Sequence, residues 1–209
     1  MSSEKTSAIR IAIIEDNKFI RSGIELILNS EPDFILIGSY QSCEVAFYNE
    51  EISESDIVIM DIRLPGMSGI DGISYLKKHS PEILILVYTA FEDDENIIRA
   101  ISAGAVGFLS KKIPVKELLS TLRNLPTGCS PITPNVARNI LSSFQKQAHD
   151  QLTKEFGLTE IEEKILEKIS SGKSYTTVAA ELMLTEKEIL INVRSIYEKL
   201  QHRTVHCES

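Results

Sequence analysis

Three carboxylates follow directly on two short apolar runs of this sequence. Glu15 and Asp16 come after the run at 9–14, and Asp61 comes after the run at 56–60. Carboxylate oxygens are ligands that Mg²⁺ favours in proteins, and a bound divalent cation offsets the charge on a phosphoryl group during its transfer. The three acids therefore predict a magnesium site at which the ionised carboxylate of Asp61 accepts a phosphoryl group.

Two further polar side chains stand at the ends of later apolar runs. Thr89 follows the run at 83–87, and Lys111 follows the run at 106–109. The hydroxyl can form a hydrogen bond with a phosphoryl oxygen, and the ammonium can neutralise another oxygen as a point charge. The backbone carbonyl of Arg63, just after the predicted nucleophile, offers a further oxygen ligand for the cation.

Taken one at a time, these residues have commoner explanations. An acid pair after a strand usually caps the next helix, an aspartate often lies in a turn, and a lysine is usually a solvated surface charge. The case for a site rests on the whole set, because the carboxyl ends of parallel strands meet in one crevice of an open sheet.

The apolar runs alternate with amphipathic segments through the first part of the chain. Strands are predicted at 9–14, 34–38, 56–60, 83–87 and 106–109. Helices are predicted at 17–29, 41–49, 69–79, 93–103 and 114–124. Such alternation predicts an α/β domain with a parallel sheet, right-handed crossovers and helices on both faces.

The order of these polar residues resembles the receiver domain of two-component response regulators. The stretches 60–69 and 104–111 are similar to that family's phosphoacceptor loop and fifth strand, and Asp16 and Asp61 are separated by a typical 45 residues. The resemblance covers residues 8–125 and implies a flavodoxin-like, doubly wound sheet of five parallel strands.

The resemblance also implies a role for each residue. Asp61 would be the phosphoacceptor, charged by a partner histidine kinase, and Lys111 would pair with the phosphoryl group. Mg²⁺ would be held by Glu15, Asp16, Asp61 and the backbone carbonyl of Arg63. The protein would assist its own phosphorylation and dephosphorylation without being a turnover enzyme.

A conformational switch is implied as well. Thr89 would act both in catalysis and in the switch by moving toward the phosphoryl group, and Phe108 would move inward with it. The new charge would bias a two-state surface around the fourth helix and the fifth strand. Phosphorylation would in this way change what that surface binds, including a second copy of the chain in a homodimer.

The alternating pattern breaks after the fifth predicted helix, where proline and glycine punctuate the chain. We predict a linker with a helix at 126–152, a small all-α domain at 153–200 and a short tail at 201–209. The small domain shows three short helical patterns with a tight turn before the last one. On periodicity alone, this arrangement is either a small helical bundle or a helix-turn-helix.

The small domain resembles the helix-turn-helix of the NarL/LuxR (FixJ) family of response regulators. The motif carrying the resemblance begins at Leu158 and ends at Leu200. The resemblance implies that the last helix enters the major groove of promoter DNA. The residues that would contact DNA are Lys187, Ile191, Arg194 and Lys199.

Several departures from the family favour an alternative. Glu188 stands where family members usually carry a threonine that contacts a DNA phosphate, and residues 150–209 hold 8 basic and 11 acidic residues, whereas DNA readers are normally basic. The tail at 201–209 looks too short for the family's fourth helix. The alternative is a phospho-regulated protein-interaction module whose degenerate helix-turn-helix no longer binds DNA.

The bulk composition is consistent with either function. Apolar residues make up 43% of the 209 residues, which is enough for a sizeable core, and the net charge of −8 argues against general affinity for nucleic acid. Three cysteines without paired spacing predict reduced thiols. With no apolar run long enough to cross a membrane and no secretory signal in the sequence, we expect a cytoplasmic protein without a membrane partner.

Overall fold

The computed structural model describes residues 8–90, 94–128, 132–145 and 157–202. A sheet of five parallel strands has the order β2-β1-β3-β4-β5. The strands are β1 (Ile9–Ile14), β2 (Phe34–Tyr40), β3 (Ile57–Met60), β4 (Leu84–Thr89) and β5 (Gly107–Ser110). This strand order, with β1 in the interior, confirms the predicted doubly wound fold.

Helices connect the strands and then continue without further strands in the described C-terminal part. Those of the α/β domain are α1 (Lys18–Asn29), α2 (Cys43–Phe47), α3 (Gly69–His79), α4 (Asp94–Ser102) and α5 (Val115–Asn124). The later helices are α6 (Pro134–Gln145), α7 (Glu160–Ser170), α8 (Tyr175–Leu182) and α9 (Glu186–His202).

The second predicted helix is shorter than expected. The pattern at 41–49 predicts one helix, but α2 ends at Phe47 and a 3-10 turn spans Glu50–Glu54. Asn49 separates the two, because its side chain accepts a hydrogen bond from the backbone N–H of Glu51 and starts the new turn.

Helix caps place two chain segments beside the predicted site. The side chain of Asn17, directly after the acid pair, accepts from the N–H groups of Phe19 and Ile20 and begins α1. Ser68 accepts from the N–H of Asp71 and begins α3 directly after the phosphoacceptor loop. Both loops are therefore fixed at their downstream ends by local hydrogen bonds.

The two faces of the sheet bury separate apolar clusters, because successive strand residues point to opposite faces. The first cluster lies under α1 and α5 and includes Ile13, Ile59 and Leu118. The second lies under α2, α3 and α4 and includes Val58 and Ile85. This second cluster continues without a break into α6, α7, α8 and α9.

The three C-terminal helices form a helix-turn-helix arrangement. Thr159 and Glu162 form a capping box at the start of α7. The turn before α9 passes through Met183, which has a left-handed backbone (φ 56°) and is 95% exposed. Helix α6 covers part of the predicted linker, whereas residues 129–131, 146–156 and the predicted tail from 203 onward lie outside the described residues.

Candidate phosphoryl site

The side chain of Lys111 lies between two carboxylates at the carboxyl edge of the sheet. Its Nζ atom is 2.5 Å from Oε2 of Glu15 and 2.5 Å from Oδ2 of Asp61. Glu15 is only 2% exposed and Asp61 only 5%. Three charged groups from β1, β3 and β5 therefore meet in one largely buried cluster, as their positions after the strands predict.

Asp16 forms the solvent-exposed side of the acid cluster. Oxygen atoms of Glu15, Asp16 and Asp61 lie within 4.8 Å of one another, which is close enough for one cation to bind all three. Asp16 is exposed, whereas the other two acids are buried. Asp16 therefore offers an exposed carboxylate beside two buried ones.

Burial and neighbouring charges act on these groups in opposite directions. Burial raises the pKa of Glu15, and the charge of Asp61 adds to this, against the lowering effect of Lys111. Burial lowers the pKa of Lys111, but its hydrogen bonds with Asp61 and Glu15 outweigh burial and raise the pKa overall. Lys111 therefore keeps its positive charge in the cluster.

Backbone contacts hold the two buried acids in place. The N–H of Asn17 donates to Oε1 of Glu15 at 3.1 Å, and the guanidinium of Arg21 donates to the Glu15 carbonyl at 2.6 Å. The N–H of Arg63 lies 3.4 Å from Oδ1 of Asp61. Whether the Arg63 carbonyl binds the cation stays a prediction.

Gly69 allows α3 to start directly against the phosphoacceptor strand. A Cβ atom at this position would lie 1.9 Å from the backbone oxygen of Asp61 and 2.8 Å from Cα of Ile62. Both neighbours are backbone atoms and cannot rotate away. The sequence analysis placed Gly69 in the phosphoacceptor loop but predicted neither its close contact with Asp61 nor a role for Arg21, since nothing in the local pattern shows how closely α1 and α3 approach the site.

The two predicted switch residues lie on adjacent strands. Thr89 ends β4 with no exposed surface, and its carbonyl accepts from the N–H of Lys111 at 2.9 Å. Phe108 on β5 is 2% exposed and borders a cavity of about 320 Å³ that Ile97 of α4 and Val136 of α6 also line. A movement of Phe108 would therefore act directly on the packing of α4 and α6.

The predicted DNA-contacting residues fall into two groups. Lys187, Ile191 and Arg194 lie exposed along one stripe of α9, at the spacing of successive turns. Lys199 instead donates to both carboxylate oxygens of the buried Glu162, at 3.0 and 2.7 Å. The structure therefore brings three of the four together and places the fourth inside its own domain.

Two acids shape the exposed surface of α9. Glu188 accepts from the N–H of Thr185 at 2.7 Å and from its hydroxyl at 2.8 Å, so it caps the helix that carries it. Glu198 accepts from Arg194 at 2.9 Å in an exposed ion pair. A DNA phosphate that approached Arg194 would have to compete with this ion pair.

Comparison with known proteins identifies the family. The family model described as the response regulator receiver domain matches residues 11–123, which is more than half of the chain. The chain belongs to the response regulator family. The predicted resemblance to a receiver domain is thereby confirmed.

The relatives of this response regulator share its length as well as its receiver. It is 31% identical to the transcriptional regulatory protein UhpA of Escherichia coli (strain K12), over 92% of this chain and 91% of UhpA. It is 30% identical to the transcriptional regulatory protein LiaR of Bacillus subtilis (strain 168), over 92% of this chain and 90% of LiaR. The response regulator therefore belongs with regulators of transcription, and the protein-interaction alternative is not favoured.

Solved structures show the same two-part architecture. The response regulator ChrA of a heme-sensing two-component system is 26% identical, with a TM-score of 0.55, over 92% of this chain and 90% of that one. The response regulator in an RcsB–DNA complex is 21% identical, with a TM-score of 0.61, over 93% of each chain. This second likeness supports the fold alone. Among the described helices of this response regulator, none is long and apolar enough to span a membrane.

Proposed function

We propose that this response regulator is phosphorylated on Asp61 by a histidine kinase in the cytoplasm, and that the phosphorylated form controls transcription by binding promoter DNA. The observation that carries the proposal is the cluster in which Lys111 lies 2.5 Å from both Glu15 and Asp61. The exposed carboxylate of Asp16, which lies within 4.8 Å of the other two acids, supports a cation site beside this ion pair.

Glu15, Asp16 and Asp61, with the carbonyl of Arg63, are the proposed ligands of Mg²⁺. Bound there, Mg²⁺ would offset negative charge on the incoming phosphoryl oxygens. One carboxylate oxygen of Asp61 forms the bond to phosphorus while the bond between phosphorus and the kinase imidazole breaks, and the imidazole nitrogen keeps the electron pair. Lys111 then donates to a phosphoryl oxygen in place of one of its carboxylates.

Thr89 and Phe108 are the proposed link between the acyl phosphate and the rest of the molecule. The Thr89 hydroxyl donates to a phosphoryl oxygen, and this movement vacates space within the strand layer. Phe108 moves into that space and away from the cavity that it shares with Ile97 and Val136. The same rearrangement would favour a homodimer of phosphorylated chains.

Lys187, Ile191 and Arg194 are the proposed DNA contacts, because they share one exposed stripe of α9. Lys199 would contact a DNA phosphate only after its ion pair with Glu162 breaks. With few cations on α9, we expect a shallow dependence of DNA affinity on salt concentration. The proposed domains are a receiver at 8–125, a linker at 126–152 and a DNA-binding domain at 153–200, followed by the tail at 201–209.

Phosphotransfer tests the first half of the proposal. Wild-type chain incubated with acetyl phosphate and Mg²⁺ should gain one phosphoryl group that is stable at low pH and labile in base, as measured by intact-protein mass spectrometry. Asp61→Asn should abolish this gain. Asp56→Asn is the matched control, since Asp56 pairs with Arg10 and is remote from the cluster. Equal labelling of Asp61→Asn and wild type would refute the assignment.

Selection from random duplex DNA tests the second half. The chain with and without acetyl phosphate is equilibrated with the pool at low salt, and bound DNA is sequenced. We expect one enriched motif that is stronger with the phosphorylated chain. Failure to enrich any sequence, with phosphorylation verified in the same sample, would remove the proposed promoter binding while leaving the phosphoryl site intact.

A further inference from the structure

A carboxylate of α2 holds the phosphoacceptor loop, residues 62–68, which joins Asp61 to α3. The backbone N–H of Met67 donates to Oε1 of Glu44 at 2.6 Å. Glu44 lies in the first turn of α2, 23 residues earlier in the chain. This hydrogen bond therefore connects the loop to a helix that contributes none of the three acids of the phosphoryl site.

Gly66 leaves the space that the Glu44 carboxylate occupies. Its backbone is left-handed (φ 76°), a conformation that glycine adopts without steric cost. A Cβ atom at this position would lie 3.1 Å from Cδ of Glu44 and closer still to Oε1, the oxygen that accepts from Met67. A side chain at position 66 would therefore push this oxygen away from the Met67 N–H.

The held part of the loop faces the exposed acid of the phosphoryl site. The N–H of Gly69 donates to the carbonyl of Ile62 at 2.8 Å, which fixes the two ends of the loop to each other. Pro65 and Gly66 lie between these ends and border an open cleft of about 480 Å³, which Asp16 also lines. The bond to α2 thus fixes the part of the loop that forms a wall of this cleft.

The hydrogen bond from Met67 is the main reason why the pKa of Glu44 lies below its ordinary value of 4.5. Bonds with its own backbone N–H and with Ser42 lower the pKa further. Glu44 is therefore ionised near neutral pH. Hydrogen bonds to an ionised acceptor are stronger than those between neutral groups, so a single bond of this kind can restrain the loop.

We propose that Glu44 is a positioning residue of the magnesium site, which raises the affinity for Mg²⁺ by holding the phosphoacceptor loop in place. The loop carries the Arg63 carbonyl, the proposed backbone ligand, and it borders the cleft beside Asp16. A site whose ligands are held before binding has less conformational freedom to lose when the cation binds. The inference rests on the proposed function, because it assumes that the cation binds to this acid cluster.

A Mg²⁺ titration of the full, unphosphorylated chain tests the inference. The shifts of the backbone amides of residues 61–69, recorded by ¹⁵N NMR spectroscopy, give the Kd for Mg²⁺ without any phosphodonor. Glu44→Ala removes the acceptor and should raise this Kd about fivefold, the factor that corresponds to one hydrogen bond of ordinary net strength. The Met67 amide should also exchange with solvent faster in this variant.

Two variants separate the hydrogen bond from the charge. Glu44→Gln keeps an oxygen that can accept from Met67, so its Kd should stay within about twofold of wild type. Glu51→Ala removes another exposed carboxylate, from the 3-10 turn that follows α2, and should leave the Kd unchanged. If Glu44→Ala does not fold, Gly66→Ala takes its place and should raise the Kd at least as much, because its Cβ would displace the same carboxylate.

The outcomes distinguish this inference from the proposed function. Binding of Mg²⁺ by wild type with an unchanged Kd in Glu44→Ala would overturn the inference alone. An equal rise of the Kd in Glu51→Ala or in Glu44→Gln would also overturn it, since the lost charge rather than the lost hydrogen bond would then be responsible. The absence of any Mg²⁺-dependent shift in wild type would remove the proposed metal site and the inference with it.

Discussion

Replacing Gly69 with alanine should greatly slow phosphorylation of Asp61, although the substitution adds only one methyl group. The added Cβ would lie 1.9 Å from the backbone oxygen of Asp61 and 2.9 Å from its carbonyl carbon. A carbon and an oxygen that are not bonded need about 3.3 Å between them, so the start of α3 and the Asp61 backbone must separate by more than 1 Å in total. We expect this separation to displace the Asp61 carboxylate relative to Lys111 and Glu15.

The magnitude follows from the precision that the reaction requires. A displacement of about 1 Å in a reacting group can reduce a rate by about 100-fold. Overpacking of this kind also costs about 1–3 kcal/mol of folding free energy. We therefore expect Gly69→Ala to remain folded, with a lowered unfolding midpoint, and to accept phosphate from acetyl phosphate about 100-fold more slowly than wild type.

Gly23→Ala is the control for this experiment. Gly23 lies within α1, and a Cβ at this position has no neighbour within 4 Å. Since alanine favours helix more than glycine does, Gly23→Ala should raise stability by about 0.5–1 kcal/mol and leave the phosphorylation rate unchanged. A Gly69→Ala variant with wild-type stability and wild-type rate would show that the close approach of α3 does not position Asp61.

Three further predictions concern other parts of the chain. Burial would raise the pKa of Glu162, but its hydrogen bonds with Lys199 and the capping-box backbone lower the pKa overall. The ionised carboxylate therefore stabilises the fold above its ordinary pKa of 4.5, and this stabilisation is lost as the pH falls below that value. The urea midpoint of Glu162→Gln should approach that of wild type as the pH is lowered from 7 to 3, and a difference that stays constant would contradict this. Arg194→Ala should reduce sequence-selective DNA binding more than Lys173→Ala, as measured by fluorescence anisotropy on the selected motif; equal losses would mean that the exposed stripe of α9 does not read bases. Burial, with smaller effects from neighbouring acids, raises the pKa of the Cys43 thiol to about 12. Iodoacetamide at pH 8 should therefore modify Cys43 about 100-fold more slowly in the folded chain than in urea, as measured by peptide mass spectrometry. Rapid modification of the folded chain would contradict the burial of Cys43.

Local pattern was sufficient to predict the sheet and the acid cluster. Each apolar run ends at a polar residue, and the geometry of parallel β-α-β units brings all such ends to one edge whatever the details of packing. Glu15, Asp61 and Lys111 were therefore predictable as neighbours. The Thr159–Glu162 capping box also depends only on local sequence, because its partners are three residues apart on one helix turn.

Contacts between distant segments were decided only by the tertiary structure. Gly69 looks like any loop glycine until α3 is placed against β3, and Lys199 looks like a free cation until α7 brings Glu162 beside it. The packing of α4 against α9 is likewise invisible in its sequence, because an apolar helix face shows that a residue is buried but not which partner buries it. The periodicity of one segment shows which of its own faces is apolar. Which element packs against that face depends on the shape and charge of segments that lie tens of residues away in the sequence.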